Sequence, residues 1–174
     1  MDHENPAVDC SKNDTYERDF SSSLLEFIKS DDLLKNFYHR FILECENIIK
    51  VIEKLENDAE DIGVSMKLLE KNINKFTKAE KPKELASLDY DFHLHLFQIT
   101  NNKALLEMWQ QENSLGFPHK IWQSICRDTA HRNRLCEIHL EIFEAIKNKD
   151  RAKAISAMQE YYAVILIHYI QRLK

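Results

Sequence analysis

The sequence predicts an all-α fold, an antiparallel bundle of six to seven helices, and three observations predict it. Among 174 residues glycine occurs only twice and proline three times, where average usage would give about 12 and about 9. The chain therefore lacks the residues that tight β-turns demand, which excludes an antiparallel β fold. Apolar residues recur three and four positions apart along most of its length, the period of a helix with one buried face. Hydrophobic residues make up 44% and charged residues 30%, the balance of one globular domain large enough to bury a core.

Residues 1 to 20 are polar and aperiodic and read as a flexible lead-in, leaving 21 to 174 for the helical domain. A short helix is expected to open at the serines before Leu24, Leu25 and Phe27. The first long helix begins at Asp31 and Asp32, which suit an N-cap. It carries Leu34, Phe37, Phe41, Ile48, Val51 and Leu55 at helical spacing as far as residue 57. A second, over 58 to 76, aligns Ile62, Met66, Leu69, Ile73 and Phe76, and ends in the loop 77 to 82. The third, over 83 to 100, has Leu85, Leu88, Phe92, Leu96 and Ile99 as its stripe. It stops at Asn101 and Asn102, where a left-handed residue is tolerated. A fourth spans 103 to 114, Gly116 and Pro118 interrupt the pattern, and a fifth covers 119 to 129. The last two run over 132 to 147 and 150 to 172, with Asp150 as N-cap of the latter, and the short break between them makes an antiparallel pair.

Net charge is −5 and uneven: residues 1 to 118 hold 14 Lys and Arg against 23 Asp and Glu, residues 119 to 174 hold 10 against 6. Neither part has the basic stripe that phosphate neutralisation needs, so direct nucleic-acid contact by this chain is not expected. Cys10, Cys45, Cys126 and Cys136 form no C-x-x-C pair, which fits reduced thiols in a cytoplasm better than a disulfide or cysteine–metal framework. No apolar run approaches about 18 residues and the N-terminus has no apolar segment, so neither a membrane span nor a secretion signal is expected.

The informative residues are ionisable groups on apolar faces, because burying them costs free energy unless something binds them. Asp89 and His93 stand one turn apart beside the Leu88, Phe92 and Leu96 stripe. A carboxylate and an imidazole so placed can share one cation, or simply hydrogen-bond to each other. His139 falls among Leu135, Ile138, Ile142, Phe143 and Ile146 on the inward face of the sixth helix and offers a second imidazole to the same interior. Tyr161, between Met158 and Ile165, points inward by the same periodicity, as a ligand or as an ordinary core tyrosine. His95 lies round the helix from His93, while His131 and His168 are two turns from His139 and Tyr161. His3, His39 and His119 read as surface or loop residues. Trp109 and Trp122 read as core or interface packing, and no phosphate loop or nucleophile constellation is present.

The run DYDFH over 89–93, followed by Thr100, Asn101 and Asn102, resembles the D-x-x-F-H...G-N signature of the FadR C-terminal (FCD) domain, the effector-binding domain of many GntR-type bacterial transcription regulators. RFILE over 40–44 is similar to that family's R-x-x-L-E. HLEIFEAI over 139–146, with Asp150, Ala154 and Met158, is similar to its H-x-x-I-x-x-A-I...D...A...M run. The resemblance covers residues 32 to 170 and implies a helical bundle. In it one Asp and three His hold a divalent metal, zinc, nickel or manganese, that helps bind a small carboxylate. By position Asp89, His93 and His139 match three of the four ligands. Tyr161 stands where the fourth, a histidine, belongs, as a possible fourth ligand or a wall of the pocket. That leaves a three-ligand site completed by water or effector, a weaker site with a phenol beside it, or a pocket that binds no metal. Arg40 is implied as an effector-binding or supporting residue, the alternative being a surface salt bridge to Glu44.

No winged-helix DNA-binding domain is expected in this chain, whose first 30 residues are too few for one. The function implied is a ligand-sensing and dimerising module of a GntR/FadR-type regulator, not an enzyme, working as a cytoplasmic homodimer with a small organic acid as effector. Two other classes stand beside it: a non-haem metal enzyme using the two histidines and one carboxylate, and a metal-free protein-interaction bundle.

Overall fold

The computed structural model describes residues 32–57, 62–113, 124–125 and 127–172. These form six long helices and no strand: α1 Asp32–Asn57, α2 Gly63–Phe76, α3 Pro82–Thr100, α4 Lys103–Asn113, α5 Thr129–Lys147 and α6 Arg151–Arg172. The all-α bundle predicted above is the fold observed. The short helix expected near residue 21, the start of the second helix at 58 and most of the fifth segment lie outside the described residues; Ser124 and Ile125 of that segment are helical. Of the described residues, 32–38 belong to one compact unit and those from His39 onward to another. In the first, Lys35 Nζ approaches Asp32 Oδ1 to 3.8 Å on the opening turn of α1. The second unit holds every site residue discussed below.

Helix ends follow local chemistry. Pro82 occupies the first turn of α3 after the extended Lys81, a position where the missing N–H costs nothing and the fixed φ suits the helix. Asn101 terminates α3 in the left-handed region at φ 51 and ψ 27, and Asn102 accepts the Leu105 N–H at 3.1 Å to open α4. The start expected at Arg132 moves to Thr129. The Asp128 carboxylate accepts the N–H groups of Ala130 at 2.9 Å and His131 at 3.2 Å, capping donors that would otherwise be unsatisfied. Asp150 caps α6 through the Lys153 N–H at 3.0 Å, as expected. Lys149, at φ 59, supplies the left-handed residue that reverses the chain between α5 and α6.

α5 packs along α6 and α3 along α2, while α2 also touches α5 and α4 touches α3. The interior is filled by Leu85, Phe92 and Leu96 of α3, Leu135, Ile138, Ile142 and Ile146 of α5, and Ala154, Met158 and Ile165 of α6. Each large apolar side chain removed from water contributes roughly 1.5–3 kcal/mol. A second cluster joins Leu43 of α1, Phe97 of α3 and Trp109 of α4, the last two stacked with ring centroids 5.0 Å apart. No helix among the described residues is long and apolar enough to cross a membrane.

Candidate metal centre

Asp89 and His93 project from one face of α3 toward α5, which delivers His139, and all three are at most 1% exposed. One donor atom from each lies within 4.8 Å of the other two, so the group could hold a metal ion. Asp89 Oδ1 is the focus: His139 Nε2 is 3.1 Å away, His93 Nε2 3.8 Å, and Tyr161 donates its hydroxyl to the same oxygen at 2.6 Å. The structure thus brings together the three residues singled out as ligands, with Tyr161 against the carboxylate. The rings pack on one another and on the core, His139 on Phe76 at 4.4 Å and edge-on to Tyr161 at 5.1 Å.

The imidazole orientations carry chemical information. His139 Nδ1 is 2.7 Å from the Leu135 carbonyl, which only accepts, so Nδ1 bears the hydrogen and Nε2 faces Asp89. His93 places Nδ1 3.2 Å from Glu44 Oε2 without hydrogen-bond alignment, and neither of its buried nitrogens has a hydrogen-bond partner. A nitrogen held dry and unsatisfied is costly, and a cation among Asp89, His93 and His139 would satisfy Nε2. Histidine with Nδ1 on a carbonyl or carboxylate and Nε2 free is the arrangement of a metal ligand. By this test the residues present fit a metal.

Burial, the largest influence on Asp89, pushes its carboxyl up. The His139 hydrogen bond, the electrostatic influence of both imidazoles and the Tyr161 hydroxyl outweigh it and hold the group at about 2. For His93 burial again comes first, and it prevails over Glu44 and Asp89 to pull the imidazole below its ordinary value. An ionised carboxylate beside a neutral imidazole is the state that ligates cations. Tyr161 is raised well above its ordinary value, first by burial and then by Asp89, so its phenol keeps its proton and serves as a donor.

Arg40 is 1% exposed, and its Nη2 donates to Glu44 Oε1 at 2.9 Å while its guanidinium lies 5.7 Å over the Trp109 ring. The salt bridge weighed as a surface alternative is made, but in the interior. In the sequence Glu44 stands out only as part of a motif and as Arg40's partner. Its carboxylate also accepts the Trp109 indole N–H at 2.7 Å and the Tyr162 hydroxyl at 2.8 Å. Burial pushes Glu44 up, yet His93, Arg40 and the two hydrogen bonds together bring it below the usual carboxylate value. A signal was available: Glu44 sits seven residues after Phe37 and four before Ile48, on the apolar stripe of α1.

The other histidines lie apart. His39 contacts Glu112 at 3.1 Å on the surface, and His131 binds its own cap residue Asp128 at 2.8 Å. The His168 ring is 5.8 Å from that of His131, and its Nε2 meets Ser124 Oγ. His3 and His119 lie outside the described residues. Three surface grooves of about 350, 410 and 590 Å³ are lined by none of Asp89, His93, His139 and Tyr161.

The model of the FCD domain family matches residues 37–164. Among solved structures, E. coli McbR/YncC is similar in fold, with a TM-score of 0.64 and 20% sequence identity over 79% of this chain and 64% of that one. The chain thus spans less than two thirds of that protein's length. No curated protein matches it. The family match runs from α1 into α6 and takes in the helices that bear Asp89, His93, His139 and Tyr161, and on that ground the chain belongs to the FCD domain family.

Proposed function

We propose that the chain is the ligand-sensing and dimerising domain of a GntR/FadR-type transcription regulator. In this reading Asp89, His93 and His139 hold a divalent metal, zinc, nickel or manganese, beside which a small organic acid is recognised. The observation that carries the reading is the convergence of these three buried groups from α3 and α5, with both His93 nitrogens lacking a hydrogen bond. Fixed charges support the ligand class. With both imidazoles neutral, as ligation requires, Asp89 and Glu44 against Arg40 sum to one negative charge in a dry interior, which a dication converts to a positive one, the sign that attracts a carboxylate. When bound, the metal supplies a Lewis acid with open positions for oxygen ligands. Tyr161 orients Asp89, the Leu135 carbonyl orients His139, and Arg40, held on Glu44, supplies positive charge nearby.

All three donors being at most 1% exposed, an acid reaches them only when neighbouring side chains move. It therefore binds one arrangement of the bundle better than another, which is what shifting a population requires. DNA contact in such a regulator is assigned to a part other than this acidic bundle, with a second copy of the chain as partner and the cytoplasm as compartment.

Elemental analysis of untagged protein purified without chelator tests the metal, and melting with and without a panel of small carboxylic acids tests the effector. Roughly one metal per chain and a raised melting temperature with one acid are expected; no metal and no shift would leave a metal-free bundle. That second reading has its own observation: the 3.1 Å approach of His139 to Asp89 is also the geometry of a buried imidazolium–carboxylate pair. Oxygen consumption by iron-loaded protein with those acids would reveal the enzyme alternative.

A further inference from the structure

Glu44 is the acceptor of a buried network that has no counterpart in the ligand set. Its Oε1 takes hydrogen bonds from Arg40 Nη2 and Trp109 Nε1, its Oε2 takes one from Tyr162, and that same Oε2 stands 3.2 Å from His93 Nδ1. Three helices thereby meet at one carboxylate: α1 through Glu44 and Arg40, α4 through Trp109, α6 through Tyr162. Among the described residues, His93, on α3, is the one neighbour of Glu44 whose hydrogen atom can sit on either of two nitrogens, and both lack a hydrogen bond. Which nitrogen carries it decides whether a donor or a lone pair faces the carboxylate.

We infer that Glu44 is a positioning residue that couples occupation of His93 Nε2 to the anchoring of α4 through Trp109. The inference rests on the metal reading above. With a cation on Nε2 the hydrogen must reside on Nδ1, which then donates to Glu44 Oε2 and closes a carboxylate–histidine–metal chain. Without one, the hydrogen is free to sit instead on Nε2, toward Asp89 Oδ1 at 3.8 Å; the Nδ1 lone pair then faces Glu44 Oε2, the ring and Glu44 are pushed apart, and the Oε1 contacts to Trp109 and Arg40 move with them. Glu44 thus favours the ligating tautomer and carries the state of the site toward α1 and α4. Sub-ångström changes of this kind are transmitted because packed side chains have discrete arrangements rather than continuous ones.

The probe is Zn²⁺ added to the metal-stripped full chain. Long-range ¹H–¹⁵N histidine spectra should show His93 ligated through Nε2 with hydrogen on Nδ1. The indole N–H resonance of Trp109, assigned by its loss in Trp109→Phe, should shift on zinc addition. Glu44→Gln, whose amide can present a donor to Nδ1, should weaken zinc binding about 10- to 100-fold and leave the Trp109 resonance indifferent to zinc. Wild-type protein that takes up no zinc overturns the metal reading itself. Zinc bound equally well by folded Glu44→Gln, or bound by wild type with no movement of the Trp109 resonance, overturns the role of Glu44 alone. If Glu44→Gln does not fold, the wild-type spectra decide: ligation through His93 Nδ1 sinks the coupling, and ligation through Nε2 with a shifted Trp109 resonance upholds it.

Discussion

Tyr161 donates its hydroxyl to Asp89 Oδ1 at 2.6 Å, joining α6 to α3 at the oxygen that both imidazoles face. The phenol keeps its proton because burial and the neighbouring carboxylate both disfavour the phenolate. In this arrangement it shapes the site by holding the carboxylate.

Replacing that donor by a ligand should strengthen the site. Tyr161→His is expected to tighten zinc binding measured by competition with a chromophoric chelator, since a third imidazole, as the fourth ligand, completes a tetrahedral set. Affinity equal to or below wild type would show that position 161 does not reach the metal. Tyr161→Phe, which removes a hydrogen bond to an ionised group, should cost roughly 1.5–3 kcal/mol of stability in urea unfolding of the metal-free protein.

Removing a ligand should empty the site. Asp89→Asn preserves the shape and the acceptor for Tyr161 while deleting the charge, and it should reduce bound metal from about one per chain to none in elemental analysis. His139→Ala should do the same and lower the melting temperature besides, because the stack on Phe76 at 4.4 Å is lost with it. Retention of a full equivalent by either variant would move the metal elsewhere.

Arg40 and Glu44 form an ion pair with both side chains 2% exposed or less. Arg40→Met should destabilise the fold by about 3–5 kcal/mol, because it strands a buried carboxylate rather than merely deleting a contact. Denaturant unfolding measures this, and a loss below about 1 kcal/mol would be that of a solvated surface pair. The contrast is with Arg134. It ties Glu141 and Glu160 together at 2.7 Å each on the surface, and its replacement should change stability little.

The Asp128 cap gives a pH signature. Hydrogen bonding from the His131 amide, then the His131 side chain and the Ala130 amide, holds its carboxyl below the ordinary value of 3.8. A depressed folded value means that the cap's stabilisation is complete above the unfolded value and disappears as pH falls through the folded one. Asp128→Ala should therefore melt below wild type at about pH 7, and the two should converge at about pH 2. A gap that persisted in acid would point to packing rather than the charged cap.

The helical elements and the inward placement of Asp89, His93 and His139 could be read in advance because both depend on short spacings. Asp89 and His93 are one turn apart, and His139 lies among five apolar residues at helical intervals, so inward orientation follows from the period alone. Cap positions were readable for the same reason at Asn101 and Asp150. At Asp128 the cue is ambiguous, because an Asp-Thr pair closing an expected helix reads as its frayed end as easily as the start of the next.

What the sequence by itself determined is therefore the all-α class, the inward faces and the identity of Asp89, His93, His139 and Tyr161 as the polar groups on them, since each follows from backbone periodicity within a few residues. Tertiary structure alone decided that Glu44 is the hub, that Arg40 is buried, and that Tyr161 donates to Asp89 rather than standing free. Glu44 meets Trp109 across 65 residues and Tyr162 across 118, and no spacing along a chain encodes which distant side chains meet. That choice is made when the helices pack and every buried polar group must find a partner.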